Sequence, residues 1–277
     1  MALSLLTNLP ALNAKRHLAD NAITFETAAE RLASGKRINK ASDDAAGMAI
    51  SYSLESKIRS MQQASRNARD ALSLIQVAEG GMNEVGNILI RIRELAIQAA
   101  SDSVGDAERA MLHLEATQLG DEVNRIANST KYLGTNLLNG TSKDFTFQVG
   151  IENDEFNRLH YSSAVVDIRP STLGIDDLSF ETTSDAQDSL SSIDSAILRL
   201  HIPRAEVGAI QSRIQATIGH LANYEESLTA ANSRIRDADL ASEATKYVQA
   251  QIQQKAAVAV LSQANQVPVL AYKLIEG

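Results

Sequence analysis

Residues 54–96 decide the fold, and they read LESKIRSMQQASRNARDALSLIQVAEGGMNEVGNILIRIRELA. Apolar residues recur in this stretch at alternating intervals of four and three, beginning with Leu54, Ile58 and Met61. A second stripe thickens the apolar face of the later half and comprises Ala78, Val85, Ile88, Ile92, Leu95 and Ala99. The spacing predicts a long amphipathic helix that needs a partner helix along its length. An ordinary helical bundle would show the same spacing.

The same spacing occurs on either side of this stretch. Residues 18–32 carry it through Leu18, Ala22, Phe25, Ala29 and Leu32. Residues 193–228 carry it through Ile193, Ile197, Leu200, Arg204 and Val207 and on to Leu228. Ser42-Asp43-Asp44 supplies a good start for the long helix, which we place at about 44–100. A shorter helix follows at about 106–128. Ser184 and Gln187 have the spacing of a capping box for the helix that carries the 193–228 stripe.

The segment at about 129–183 has a different pattern. It contains Asn139-Gly140, a strong hairpin-turn pair, and an alternating run at 145–149. Residues 158–166 form another strand candidate. These features predict a small β-rich insert between the helices.

The final helix, 241–277, has an unusual composition. Between 247 and 271 its only charged residue is Lys255, and neutral glutamines recur among alanine and valine. Small and neutral side chains allow helices to approach closely, so the face with Val248, Ile252, Ala257, Leu261 and Ala264 is a candidate packing surface. A weakly helical tail is the alternative, because an isolated helix is marginal in water.

The predicted fold class is therefore mostly α. A long antiparallel helical coiled-coil bundle forms from the N- and C-terminal halves, with a small β-rich insert. The simplest arrangement pairs the first helix with the last and the two long helices with each other. Charge separates the ends from the body, because residues 1–40 carry a net +3 and residues 241–277 a net +1, whereas 41–240 carry −12.

The composition excludes several classes of function. The chain has no cysteine, so disulfides and thiolate metal sites are excluded. Its net charge of −8 gives no footprint for nucleic acid. Asp43-Asp44 suits a helix start better than a metal site. No zinc spacing occurs among the histidines, which are His17, His113, His160, His201 and His220. We expect no catalytic, cofactor-binding or metal-binding residues.

No membrane segment or cleaved leader is visible either. The apolar run at 3–12 is too short to span a membrane, and no basic segment precedes it. If the protein leaves the cell, it must use a route that does not cleave this end.

Several long motifs resemble the bacterial flagellins. Near the N-terminus they are AAERLASGKRIN at 28–39, SDDAAGMAI at 42–50, QASRNA at 63–68 and RIRELAIQ at 91–98. Near the other end, SRIRDAD at 233–239 and QANQVP at 263–268 are similar to the C-terminal flagellin signature. The resemblance covers roughly 1–140 and 185–270, with only about 45 residues between the two parts. It implies a short flagellin without outer variable domains.

The resemblance implies a non-enzymatic subunit that self-assembles into the extracellular filament for swimming motility. Residues 1–40 and 241–277 would form the inner terminal-helix domain, and 41–240 the outer helical domain with the insert. Export would be unfolded and uncleaved through the flagellar type III apparatus, with a chaperone on the C-terminal helix. Other implied partners are the filament cap and the hook–filament junction proteins. In similar flagellins, positions matching Arg91, Leu95, Gln98 and Glu115 fall in the surface that Toll-like receptor 5 recognises.

Two departures from the family pattern bear on the helices. Gly80-Gly81 should weaken the long helix by ~1 kcal/mol. Pro203 lies inside the 193–228 stripe, so we predict a bend or break between about 199 and 203, or a helix that restarts with Pro203 in its first turn.

Two other classes remain at this point. A hook–filament junction protein would share the terminal helices, but such proteins tend to carry proline after the paired aspartates that stand here as Asp43-Asp44. A helical signalling coiled coil is disfavoured by the β insert.

We also expect 1–40 and 241–277 to be disordered in the monomer, because each would lack a partner there.

Overall fold

The computed structural model describes residues 7–141, 144–162 and 166–276, without the side chains of 267 and 269–276. Positions 163–165 of the predicted strand at 158–166 lie outside this range. The elements in chain order are α1 (Leu9–Ser34), α2 (Ala45–Ala99), α3 (Asp106–Ser129), β1 (Lys131–Tyr132), β2 (Thr135–Asn136), β3 (Phe145–Gln148), β4 (Arg158–Tyr161), α4 (Pro170–Leu173), α5 (Thr183–Arg236) and α6 (Leu240–Glu276). The predicted fold class is confirmed.

The chain divides into two compact units. Unit 1 comprises residues 1–58 and 226–277, and unit 2 comprises residues 59–225. The sequence predicts domain boundaries at 40 and 241, which do not coincide with these unit boundaries. The inner and outer roles given to those domains stay a prediction.

In unit 2, α2 packs against α5 through a heptad seam. Arg93 Nε donates to Asp194 Oδ1 at 2.7 Å, and Gln62 Nε2 donates to Glu225 Oε1 at 2.7 Å, so the two helices run antiparallel. The seam positions of α2 alternate three and four, as in a coiled coil: Met61, Ala64, Ala68, Ala71, Ile75, Ala78, Met82, Val85, Leu89, Ile92, Ala96 and Ala99. Leu74 and Leu95 are buried beside this row. Alanine fills half of this seam.

At two levels of α5, the buried residue lies one position before the residue in the predicted stripe. The buried positions are Ala196 and Pro203, whereas Ile197 and Arg204 lie only half-buried beside them. The core takes the small residue at each of these levels.

Pro203 does not break α5. The helix runs without interruption from Thr183 to Arg236, so the predicted break and the predicted restart are both wrong. Pro203 is buried in the seam, and packing on both sides holds its turn helical. The third possibility, a bend of α5 between about 199 and 203, stays a prediction.

Local hydrogen bonds set the helix ends. Asp44 Oδ1 accepts from Gly47 N at 2.8 Å, which confirms the predicted start of α2. The start of α5 lies slightly earlier than the capping box indicated, because Thr182 Oγ1 accepts from Asp185 N at 3.1 Å and the helix begins at Thr183. Gly35 ends α1 in the left-handed conformation, with φ of 68°.

The β-rich insert consists of two antiparallel strand pairs, β1 with β2 and β3 with β4. Its tight hairpin turn is Leu133-Gly134, with φ of 48° and 83°, and not the predicted Asn139-Gly140. Asn139 instead forms an isolated antiparallel bridge with Asp167. Thr130 and Leu138, which we call the insert root, pack on α2. A Cβ added at Gly81 of α2 would lie 2.5 Å from Leu138 Cδ1.

Candidate assembly surface

In unit 1 the linkers that flank the terminal helices are joined by backbone hydrogen bonds. Arg37 N donates to Arg236 O at 2.7 Å, and Ala238 N donates to Gly35 O at 3.0 Å. These bonds surround the antiparallel bridge between Lys36 and Asp237. The end of α1 is thereby fixed next to the start of α6, and the helices pair along their lengths.

The turn before α2 is also joined to α1. Asp43 Oδ2 accepts from Asn39 N at 3.0 Å and from Lys40 N at 3.1 Å. The bond from the Lys40 backbone, followed by that from Asn39, holds the pKa of the Asp43 carboxyl below its ordinary value. Lys40 Nζ in turn donates to Glu30 Oε2 at 2.7 Å, and this bond raises the pKa of Lys40.

The seam between α1 and α6 follows a second heptad pattern. Phe25 stacks on Tyr247 with ring centroids 4.6 Å apart, and Asn8 Nδ2 donates to the carbonyl of Ala264 at 2.8 Å. By spacing and burial, α1 contributes Ala14, Leu18, Asn21, Phe25, Ala28 and Leu32. From α6 the seam takes Glu243, Tyr247, Ala250, Gln254, Ala257, Leu261 and Ala264.

One polar cluster lies at an end of this seam. Glu243 is 5% exposed, and its carboxylate accepts from Lys246 Nζ at 2.7 Å and faces Arg31 Nη1 at 3.6 Å. A charge at one seam position favours a single register of the two helices. The Nε of Arg31 is buried without a hydrogen-bond partner.

The opposite faces of both helices are also apolar, and they are exposed. On α1 the exposed large residues are Leu9, Leu12 and Ile23, with 54–64% exposure. On α6, Val248 and Ile252 lie opposite the seam and Val258 and Val260 lie on its two flanks, all with 51–62% exposure. We call these seven residues the outer face. Exposed apolar side chains of this kind on a water-exposed helix pair form a candidate interaction surface.

The predicted interface residues divide between the two surfaces. Val248 and Ile252 belong to the outer face. Six others lie in the seam within one chain, namely Leu18, Phe25, Leu32, Ala257, Leu261 and Ala264, while Ala22 and Ala29 are half-buried beside it. Sequence reasoning missed Leu9, Leu12, Ile23, Val258 and Val260. A search for a second stripe on the far side of each helix would have found Leu9, Leu12 and Ile23.

The strip suggested for receptor recognition is partly exposed. Arg91 Nη2 donates to Glu115 Oε1 at 2.8 Å and its Nη1 to Glu94 Oε2 at 3.1 Å; the Glu115 bond is the main reason why the pKa of Arg91 is raised. Gln98 is also exposed. Leu95, by contrast, is 1% exposed and packs in the core. A molecule that binds the folded unit therefore meets three of the four side chains.

Within the described ranges, no three metal-ligating side chains gather closely enough to hold a metal ion. Across the same residues, no helix combines the length and hydrophobicity needed to cross a membrane.

Paired terminal helices that stay apolar on their outer face define a structural subunit built to associate with other chains. Comparison with known proteins identifies the family. The bacterial flagellin N-terminal helical region matches residues 5–143, and the bacterial flagellin C-terminal helical region matches residues 190–272. The flagellin of Halalkalibacterium halodurans is 39% identical over 268 residues, which cover 97% of this chain and 98% of that protein. The chain belongs to the bacterial flagellins, and its function is that of a flagellar filament subunit, not an enzyme.

Solved structures agree with this assignment. The crystal structure of Bacillus cereus flagellin has a TM-score of 0.51 and 26% identity, and covers 56% of this chain and 88% of that chain. A putative flagellar hook-associated protein from Vibrio parahaemolyticus has a TM-score of 0.58 at 15% identity, covering 70% of this chain and all of that chain, which is a likeness of fold alone. Both matching family models are flagellin models, so the junction-protein alternative is not favoured.

Proposed function

We propose that the chain polymerises through the outer face, with unit 1 of each subunit in the inner part of the filament. The observation that supports this most directly is the exposure of seven large apolar side chains on helices whose inner faces are already paired. Burial of one such side chain contributes about 1.5–3 kcal/mol. The near absence of charge at 247–271 leaves little to oppose close approach.

The substitution Ile252→Glu tests this proposal. Ile252 is 62% exposed, so a carboxylate there is solvated in the monomer and leaves the α1–α6 seam intact. In the polymer it would be buried without a partner, at a cost of several kcal/mol per subunit. We expect no filaments by electron microscopy after salt-induced assembly, with unchanged helix content by circular dichroism.

Ile252→Leu is the matched control, because it keeps the apolar surface and should assemble normally. Ala257→Glu is less informative, since Ala257 lies in the seam and its substitution would also disturb the pairing of α1 with α6. Filaments of normal length from Ile252→Glu would show that this part of α6 is not an interface.

The resemblance to flagellins supports further partners. The chain would be secreted unfolded and uncleaved through the flagellar type III apparatus, with an export chaperone on the C-terminal helix. It would meet the junction proteins at the hook and the cap at the growing tip. An intact N-terminus in the mass spectrum of filament subunits tests the absence of cleavage.

Recognition of the released monomer by Toll-like receptor 5 would use Arg91, Gln98 and Glu115. These side chains are exposed, and the Arg91–Glu115 pair presents both charges on neighbouring helices. We expect Glu115→Lys to weaken binding of the receptor ectodomain, because the substitution removes the acidic group and repels Arg91. Equal affinity of this variant and of wild-type monomer would exclude the pair from the binding surface.

A further inference from the structure

Two contacts fix the register between the long helices of unit 2. Gln62 bonds Glu225, and Arg93 bonds Asp194, each at 2.7 Å. In the register that these two hydrogen bonds define, Gly80 of α2 lies level with about residues 206–208 of α5. The register agrees with Gly86, where an added Cβ would lie 3.5 Å from Leu200 Cδ2.

This level combines three residues that weaken a helix. Gly80 and Gly208 both face open space, because a Cβ added at either would meet nothing within 4 Å. Neither glycine is therefore required by packing, and each loosens its helix relative to alanine. Pro203 lies just over a turn away and has no N–H, so the carbonyl of Arg199 loses its helical donor.

The neighbouring Gly81 has a different role. A Cβ there would lie 2.5 Å from Leu138 Cδ1 and 2.9 Å from Thr130 Oγ1. Gly81 is thus explained by the close approach of the insert root, which lies at the same level. Any change in the local course of α2 would be felt by these two insert residues.

We propose that the α2–α5 pair of unit 2 contains a hinge at this level, formed by Gly80, Gly208 and Pro203. Both helices bend together there, since their seam is continuous and one cannot bend without its partner. The bend opens backbone hydrogen bonds of the amides at 79–84 of α2 and 204–209 of α5. Through Gly81, it shifts the root of the β insert. The hinge lies within unit 2 and does not depend on the proposed assembly surface.

Hydrogen exchange of the full-length monomer, followed by mass spectrometry, tests the hinge. Exchange reports local opening of backbone hydrogen bonds. Gly80→Ala should slow exchange at 79–84 by roughly fivefold, as expected for a helix glycine replaced by alanine. Because the bend is shared, exchange at 204–209 of α5 should slow as well, although no residue there is changed.

Gly219→Ala is the matched control. Gly219 also lies in open space in α5, but the register places it level with Ala68, away from the other helix-weakening residues. Its replacement should slow exchange only in its own turn and leave 65–71 of α2 unchanged. A Gly80→Ala effect confined to α2 would overturn the proposal, even if the variant folds and assembles normally.

Discussion

At the scale of single residues, Leu133 has the least favourable backbone conformation for its side chain. It is the first central residue of the β1–β2 turn, with φ of 48°, and its side chain is 93% exposed. A left-handed conformation costs an ordinary L-residue roughly 1–2 kcal/mol, whereas asparagine and glycine adopt it readily. The exposed side chain has no packing within the chain that offsets this cost.

We therefore expect Leu133→Asn to stabilise the protein by about 0.5–1 kcal/mol, measured by urea unfolding. Asn-Gly is the preferred pair for a two-residue hairpin whose central residues both have positive φ. Leu133→Ala is the control, because it removes the exposed side chain and keeps the unfavourable conformation. An equal gain from both variants would assign the effect to lost surface hydrophobicity.

The same turn shows where sequence reasoning fails at this scale. Asn139-Gly140 has the better turn composition, and Gly140 does adopt a positive φ of 67°. The hairpin nevertheless forms at Leu133-Gly134, because Leu137 N bonds Thr130 O and both Leu137 and Leu138 are completely buried. Burial of these leucines selects the register of the β1–β2 hairpin. The turn preference of Asn139-Gly140 is local and carries no information about that burial.

At the scale of elements, Arg109 joins the end of α2 to the first turns of α3 and α5. Its Nε donates to the carbonyl of Ala99 at 3.0 Å, where α2 ends. Its other nitrogens bond Asp106 in the first turn of α3 and Thr183 in the first turn of α5. The side chain is 8% exposed, so it caps α2 within a desolvated junction.

Arg109→Ala should lower the free energy of unfolding by about 2–4 kcal/mol, because it leaves the Ala99 carbonyl without this donor and removes several charged hydrogen bonds. Arg125→Ala on the same helix is the control. Arg125 pairs with Glu122 but is 64% exposed, and such surface pairs contribute little. Chemical denaturation would distinguish the two, and equal effects would contradict the capping role of Arg109.

The helices themselves could be predicted from periodicity, but their exact seams could not. In α2 the predicted spacing agrees with the seam at Met61, Ala68 and Ile75, but between them the seam buries Ala64 and Ala71 rather than the predicted Ser65 and Leu72. In α5 the choice of Ile197 over Ala196 followed hydrophobicity, whereas the seam buries the smaller side chain. How closely two helices approach depends on both partners, and neither sequence stripe contains that information alone.

At the scale of the whole molecule, the two units differ in what they bury. Among the described residues, the buried apolar side chains of unit 1 are Ala14, Ala28, Ile38, Ala250 and Ala264, whereas unit 2 buries many Leu, Ile, Val and Met side chains. Alanine removes little apolar surface from water. The expectation that the terminal helices lack a partner is wrong for the single chain, because α1 and α6 pair with each other. We expect this pairing to be easier to open than the α2–α5 seam, because its fully buried side chains are small.

Limited proteolysis of the monomer should accordingly cut α1 and α6 before it cuts residues 61–99. Local opening exposes backbone where few apolar contacts resist it. In assembled filaments the same segments should be protected, since burial of the outer face adds contacts that the monomer lacks. Mass spectrometry of the first fragments measures the order. Resistance of α1 and α6 equal to that of α2 in the monomer would show that the alanine seam is sufficient.

The outer face also subjects the terminal helices to mass action. An exposed Ile or Val that becomes buried in a polymer contributes about 1.5–3 kcal/mol, and each 1.4 kcal/mol changes an equilibrium constant tenfold. If the outer face is the interface, as proposed, its seven described side chains help to set the threshold concentration of free subunit, below which chains stay dispersed. Shortening a single one, such as Ile252, raises that threshold about tenfold or more. Such a subunit would stay dispersed where it is dilute and assemble where supply concentrates it.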